Sequence, residues 1–421
     1  MSKLSAYNYF VNDKDKTIVF NTFSGSIVTL DKEKAGLLIS DINAFDDNER
    51  AKLNRLGIVI SDEVDEKRII EFDRARGIYS HDTVTYRILV TTRCNARCVY
   101  CFEGTDGIND MDYQTADATI DFIQKMSVNA NTINVQWFGG EPTLNIKIIQ
   151  YITKRLKDKY WESGKKLKFS MITNGSLTDF NEKKLGVERV QISLDGCGDT
   201  YKRYKLYRDP TIDLDKVISN INKYISQGVF VSLRLNYEKD NYDSIIELIS
   251  LLGNRIINKK YINVYPYPLF GTYLGHRNCH DGTTPDQLFS LYKALLEQEL
   301  INPNMVFRFE YQKHRCFACN ANSFVIDADG KLYKCCEAKE KGRKSIGSVF
   351  SDFEVSEEYL NWVNNELTPE CEACVFLPMC QGGCKAAELT DHPVKCFLNK
   401  NVLDDLLRLY VNRKIELNKE S

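Results

Sequence analysis

Thr91-Thr-Arg-Cys94-Asn-Ala-Arg-Cys98-Val-Tyr-Cys101-Phe-Glu-Gly104 decides how the rest of this 421-residue chain is read. Its three cysteines are spaced C-x3-C-x2-C and lie just beyond the apolar, strand-like run Val84 to Val90. Thiolates are the usual protein ligands of iron–sulfur clusters, and a cluster that only carries electrons normally has four of them. Three can hold three irons of a [4Fe-4S] cube and leave the fourth open to a substrate or cofactor. Two plainer readings compete: a zinc knuckle, or three cysteines buried at i, i+4 and i+7 on one helix face. A structural zinc wants a fourth tetrahedral ligand close by. Arg93, Asn95 and Arg97 argue against an apolar helix face.

Around this stretch, from Thr83 to about Leu269, strand-like runs alternate with amphipathic helices, the pattern of a parallel α/β architecture. Strands are expected at Val84 to Val90, Ile133 to Phe138, Lys168 to Ile172, Val190 to Leu194, Val229 to Leu235 and Ile262 to Tyr267. Helices are expected at Tyr113 to Ser127, Ile146 to Ser163, Leu214 to Gln227 and Tyr242 to Leu252. In barrels of this kind the chemistry sits at the carboxyl ends of the strands, and that is where the notable residues fall. Trp137-Phe-Gly139-Gly140-Glu141-Pro142 ends the second strand. Adjacent glycines let backbone approach a ligand closely, and a carboxylate there can accept hydrogen bonds from an ammonium; a turn closing an ordinary strand is the simpler account. The third strand ends in Thr173-Asn174-Gly175 and the fourth in Ser193-Leu-Asp195-Gly196.

Together these motifs resemble the radical S-adenosylmethionine (SAM) enzymes. The resemblance implies a partial (β/α)6 barrel whose open iron chelates the amine and carboxylate of SAM, and reduction then yields a 5′-deoxyadenosyl radical. It makes Cys94, Cys98 and Cys101 the cluster ligands and Gly139, Gly140 and Glu141 the turn that holds the methionine amino group. It also points to Asn174, to Ser193 as a hydroxyl near the ribose, and to Tyr100 near the adenine. The basic partner of the SAM carboxylate, often Arg in the family, aligns at Lys205, with Arg203 and Arg208 nearby. Lys lacks the bidentate fork of Arg.

Nine of the fourteen cysteines fall between Cys316 and Cys396. Asp327-Ala-Asp-Gly330 is a strong turn between Ser323 to Ile326 and Lys331 to Lys334, which predicts a hairpin. Cys371-x2-Cys374-x5-Cys380-x3-Cys384-x11-Cys396 follows, and short spacings of this sort equally suit structural zincs. The block resembles the SPASM extension of the same family, which carries two auxiliary [4Fe-4S] clusters. By that resemblance Cys316, Cys319, Cys335 and Cys384 hold one, with Cys279 as a substitute for Cys316, and Cys371, Cys374, Cys380 and Cys396 hold the other. Sulfatase-maturating members place an aspartate after the hairpin cysteine. Here that position is Cys336, followed by Glu337, and a buried apolar role is the commonest fate of such a cysteine.

Residues 1–75 read as a small α/β unit with a hairpin around Thr22-Phe-Ser-Gly25, a helix capped by Asp31 and another over Asp46 to Leu56 ended by Gly57. They resemble the winged-helix domains that bind leader peptides by strand addition; a structural cap is the alternative. The domain expectation is 1–75 for this unit, 76–280 for the barrel, 281–400 for the SPASM domain and 401–421 for a C-terminal helix, packed across the barrel or the cluster domain.

A net charge of −2 leaves no excess positive charge for nucleic acid. No apolar run nears the roughly 20 residues of a membrane span, and the N-terminus lacks a signal-peptide core, so a cytoplasmic protein is expected. Many cysteines in a reducing compartment favour metal ligation over disulfides. The expected function is a peptide maturase that takes a ribosomally made precursor, draws electrons from a flavodoxin or ferredoxin-type reductant, and installs a thioether or carbon–carbon cross-link. Peptide epimerisation, a small-molecule dehydrogenase, and a metal-bearing peptide-binding module without catalysis are the alternatives.

Overall fold

A computed structural model of the chain describes residues 2–103, 109–178, 185–269, 271–273, 277–279, 284–302, 311–313, 315–339, 342–364, 366–389 and 400–420. Side chains are not described at 271–273, 277–279, 400–401 and 415–420, so Cys396 lies outside the described residues and of Cys279 only the backbone is seen. The chain divides into two compact units, one of 1–79, 303–320 and 364–421, the other of 80–302 and 321–363.

In the first unit β1 (Ser2–Leu4) pairs antiparallel with β5 (Val59–Ser61), and β2 (Asn8–Asp13), β3 (Lys16–Asn21) and β4 (Ile27–Asp31) form an antiparallel meander. Asp31 caps α1 (Lys32–Ser40) by accepting from the Lys34 amide, and Asp46 with Glu49 builds a capping box on α2 (Asp47–Arg55). Both starts follow the sequence signals, because a short carboxylate satisfies the orphan amides of a first turn. Val19, Leu38, Phe45, Leu53, Ile58 and Val59 close a small core under the meander. The charged connector forms α3 (Glu66–Tyr79).

In the second unit six strands run parallel in sequence order: β6 (Thr83–Leu89), β7 (Thr132–Phe138), β8 (Lys166–Thr173), β9 (Val187–Leu194), β10 (Phe230–Tyr237) and β11 (Ile262–Pro268). The expected strands are all present with ends displaced by up to three residues: Val90 falls outside β6 and Val229 outside β10, while β9 begins three residues early. Between them lie α4 (Tyr113–Met126), α5 (Ile146–Tyr160), α6 (Gly198–Lys205), α7 (Leu214–Ser226) and α8 (Tyr242–Arg255). Alternate residues such as Tyr86, Ile88, Val135, Trp137, Val231 and Leu233 are fully buried on one face, and Tyr86 meets Phe122 of α4 edge-on there. The fold is therefore the α/β class expected, with a parallel-strand core.

Two short strands, β12 (Gly271–Tyr273) and β13 (Arg277–Cys279), form a separate ribbon before α9 (Pro285–Glu297). The predicted hairpin is β14 (Ser323–Ile326) with β15 (Lys331–Tyr333), and β16 (Gly347–Ser348) adds to it. Sequence reading missed where the hairpin goes: β14 pairs in parallel with β6, so it extends the barrel sheet.

Within the first unit the later segments return to the N-terminal strands. The final helix, α10 (Lys400–Glu420), docks on β2, where Tyr9 donates to Asp404 at 2.6 Å and Arg408 donates to the Asn12 carbonyl at 2.9 Å. Tyr9 also packs on Phe376 at 4.8 Å. The helix thus finds its partner in the N-terminal meander, because a phenol and a free carbonyl on β2 match its polar face. No helix among the described residues is long and apolar enough to cross a membrane.

Trp137 stacks on Phe169 at 6.1 Å, and its buried indole N–H has no partner among the described residues. Trp137→Ala is expected to cost about 3–5 kcal/mol through the cavity it leaves, read as a lowered urea midpoint. Trp137→Phe should cost less, since it also removes an unsatisfied donor.

Candidate active site

The cysteine loop leaves β6 and is tied down on both sides by backbone. On one side Gly140 donates to the Thr91 carbonyl at 3.0 Å and Glu141 to the Arg93 carbonyl at 2.8 Å. On the other, the Arg97 amide reaches the Lys205 carbonyl at 3.1 Å and Val99 the Tyr204 carbonyl at 3.0 Å, at the end of α6. Sequence reading did not draw α6; its signal was Asp199 in the first turn and Lys202, Arg203 and Lys205 in the last, the charge order a helix dipole favours. Leu206, in a left-handed conformation at φ 46°, ends it.

The three thiols of this loop are half-buried. Burial, helped by neighbouring thiols and Glu103, pushes Cys94 and Cys101 up to about 12. They stand within electrostatic reach of one another, yet among the described residues no three Cys, His, Asp or Glu side chains converge on one ion. Asn174 lies beside them: its amide is 3.9 Å from Cys94 Sγ and donates to Asn95 at 2.7 Å.

The glycines have a structural task within the fold. A Cβ on Gly139 would lie 2.2 Å from the Thr91 carbonyl and one on Gly140 2.3 Å from that of Arg93, so their smallness serves contact with the cysteine loop itself. Gly139 also sits at φ +121°, which L side chains rarely adopt. Glu141 is fully buried, and its carboxylate accepts from the Thr143 amide and hydroxyl, the Thr173 hydroxyl at 2.8 Å and the Asn174 amide at 2.8 Å. It ties the second strand end to the third. Burial pushes its carboxyl up, and those hydrogen bonds oppose the shift.

Lys205 is enclosed as well, 1% exposed. Its ammonium donates to Tyr100 Oη and Ser193 Oγ, each at 2.9 Å, and lies 3.2 Å from Asp195. Three of the expected SAM residues thus converge on one point. Burial alone would pull the Lys205 pKa down, but Asp195, Tyr100 and Cys98 outweigh it and hold the pKa well above the ordinary lysine range.

Arg87, Gln136 and Cys336 form a further cluster. Arg87 donates to Gln136 at 2.6 Å and to Cys336 Sγ at 3.1 Å, and lies 5.6 Å over the Phe138 ring. Phe138 stacks on Phe102, next to Cys101, at 6.3 Å. Cys336 is therefore in polar contact beside the cysteine loop and is no buried apolar filler. Burial pushes its thiol up and Arg87 pulls it down. Sequence reading overlooked Arg87 and Gln136, whose signal was a polar residue at period two within an apolar strand.

Of the remaining cysteines, Cys335 follows β15 in the barrel unit, while Cys316, Cys319, Cys371, Cys374, Cys380 and Cys384 belong to the other unit. The Cys319 amide donates to the Cys316 carbonyl at 3.1 Å. Cys371 and Cys374 lie on one short turn, where the Cys374 amide reaches the Cys371 carbonyl at 3.2 Å, and Cys380 and Cys384 on the next.

Residues 88–252 match the Radical SAM superfamily. The chain carries a radical SAM domain over that segment. It is 34% identical over 143 residues to an uncharacterised protein of Methanocaldococcus jannaschii, covering 32% of this chain and 47% of that one, about half its length. It is 29% identical over 287 residues to a GTP 3′,8-cyclase of Clostridium perfringens, covering 62% and 83%. Among solved structures, native anSMEcpe with bound AdoMet and Kp18Cys peptide matches with TM-score 0.58 at 16% identity, over 80% of this chain and all of that one. Streptococcus suis SuiB bound to precursor peptide SuiA matches with TM-score 0.54 at 16% identity, over 96% of this chain and 100% of that one.

Lys205→Met leaves buried Asp195 without its counter-ion, and a loss of about 3–5 kcal/mol is expected. Denaturant titration checks this, and adding Asp195→Asn should recover part of the loss.

Proposed function

We propose that the protein is a peptide maturase that abstracts hydrogen from a residue of a ribosomally made precursor and leaves an oxidative cross-link, thioether or carbon–carbon. What carries the reading is the reach of the fold likeness: it takes in 96% of this chain against SuiB bound to its precursor peptide, and so extends well beyond the radical SAM domain.

The thiols of Cys94, Cys98 and Cys101 fit three corners of a [4Fe-4S] cluster. With SAM on its open iron, such a cluster supplies a 5′-deoxyadenosyl radical. Around it the protein's own groups have defined tasks. The Gly139–Gly140 turn fixes the loop and offers backbone carbonyls to the methionine ammonium, since the Glu141 carboxylate has its hydrogen bonds filled. Tyr100, Ser193 and Lys205 present a preorganised polar corner for the nucleoside, and Asn174 sets the Cys94 side of the loop. Cys316, Cys319, Cys335, Cys384, Cys371, Cys374, Cys380 and Cys396 would hold two auxiliary clusters that take the second electron of the oxidation as the second hydrogen leaves as a proton, with a flavodoxin or ferredoxin-type protein as reductant. The N-terminal meander receives the leader peptide by strand addition.

Epimerisation is the second reading, and Cys336 favours it. A thiol held by Arg87 can give a hydrogen atom to a carbon radical, and an electron from an auxiliary cluster with a proton from solvent would restore the thiyl radical left behind.

Anaerobic co-expression with a short peptide encoded beside the gene tests the proposal. Loss of two hydrogens per modified site is expected. An unchanged mass with deuterium uptake from D2O would select epimerisation instead, and no change of either kind sinks the peptide reading. Separately, Cys94→Ala should abolish SAM cleavage while auxiliary iron remains, whereas Cys371→Ala should lower iron content and retain cleavage.

A further inference from the structure

We infer that Arg234 is a carboxylate receptor inside the barrel and that the carboxylate it takes belongs to an acidic residue of the substrate. The inference rests on the peptide reading above and names a chemical feature of that peptide.

Arg234 lies on β10, in register with Ser193 of β9 and Tyr265 of β11. Leu233 and Leu235, its chain neighbours, are fully buried on the opposite face. Alternation along a strand therefore puts Arg234 on the face that carries Ser193, beside the polar corner of Tyr100 and Lys205. Its guanidinium lies 4.6 Å over the ring of Tyr267, which holds its plane. Nε is shut off from solvent and has no hydrogen-bond partner, and among the described residues no carboxylate pairs with this side chain.

Two more orphan atoms share the face. Asn236, two residues along β10 and fully buried, has Oδ1 without a donor, and so has Asn263 on β11, in register with Ser232. Buried polar atoms left unpaired are costly, so a cation and two acceptors on one face describe a missing partner. From the row of Arg87 upward, this face of the six strands carries no Asp or Glu. The nearby carboxylates are engaged: Asp195 with Asn236 at 2.9 Å and Lys205 at 3.2 Å, Glu238, just past the end of β10, with the Tyr204 hydroxyl, and Glu141 with the donors of Thr143, Thr173 and Asn174. Lys205 is also spent on internal partners. Among the described residues of this face the open cation is thus Arg234, whose planar fork suits a carboxylate. Asn236 and Asn263 ask for N–H donors at the same time. A peptide segment with an acidic side chain offers both.

The test uses the full chain with its clusters reconstituted, titrated calorimetrically with acetyl-Gly-Glu-Gly-amide and acetyl-Gly-Gln-Gly-amide, alongside SAM. Wild type should prefer the Glu peptide by about tenfold, the worth of a charge-assisted hydrogen bond. Arg234→Gln should erase the preference, Arg234→Lys should keep part of it, and SAM affinity should stay within about twofold in both, which also shows that the barrel is folded. Equal binding of the two peptides by wild type overturns the inference. So does a loss of SAM affinity in Arg234→Gln of about tenfold or more, because the carboxylate received is then that of SAM. If the Glu preference and its loss are seen while the precursor peptide stays unmodified, the receptor stands and only the maturase reading falls.

Discussion

The site depends on how closely two stretches of backbone can approach. The amides of Gly140 and Glu141 bond the carbonyls of Thr91 and Arg93, and a single methyl group at either glycine would collide with those carbonyls. This contact fixes the cysteine loop relative to β7. Glu141, held from β8 by Thr173 and Asn174, extends the same bracing to the next strand. On the far side α6 lends its last carbonyls to Arg97 and Val99. The loop is therefore clamped by main chain on both flanks.

How much of this could be read beforehand depended on range. The six parallel strands were legible because each is an apolar run ending in a recognisable turn, and Asp31, Asp46 and Gly57 marked helix ends through local chemistry. Alignment placed Ser193, Tyr100 and Lys205 as separate ligands. Their convergence, and the capture of the Lys205 ammonium by Asp195, follow from contacts between residues a hundred positions apart, which no periodicity carries. The eight-residue helix α6 was too short and too polar to announce itself by an apolar stripe. Arg87 and Arg234 were hidden for another reason: a charged residue in an apolar strand reads as a solvent-facing position until the sheet is known to enclose a second face.

That enclosed face also changes how Cys336 is understood. In the sequence it is a leftover thiol beside a cluster-type cysteine. In the fold it shares the guanidinium of Arg87 with Gln136, while Phe138 and Phe102 connect the group to the cysteine loop. Arg87 and Arg234 place two guanidiniums on strands that otherwise read as apolar runs, which the chain's net charge does not disclose.

The parallel pairing of β14 with β6 bears on synthesis. β6 is the first barrel strand to leave the ribosome, and β7 covers only one of its sides. The other side waits for Ser323–Ile326, more than two hundred residues later. At about 5–20 residues per second, that is on the order of 10–50 s with a row of unpaired amides and carbonyls on the strand that leads into Cys94. During that interval the nascent chain holds its cysteine loop on an open edge. Completion of the C-terminal half is what seals it, so the last strands added finish the element that was begun first.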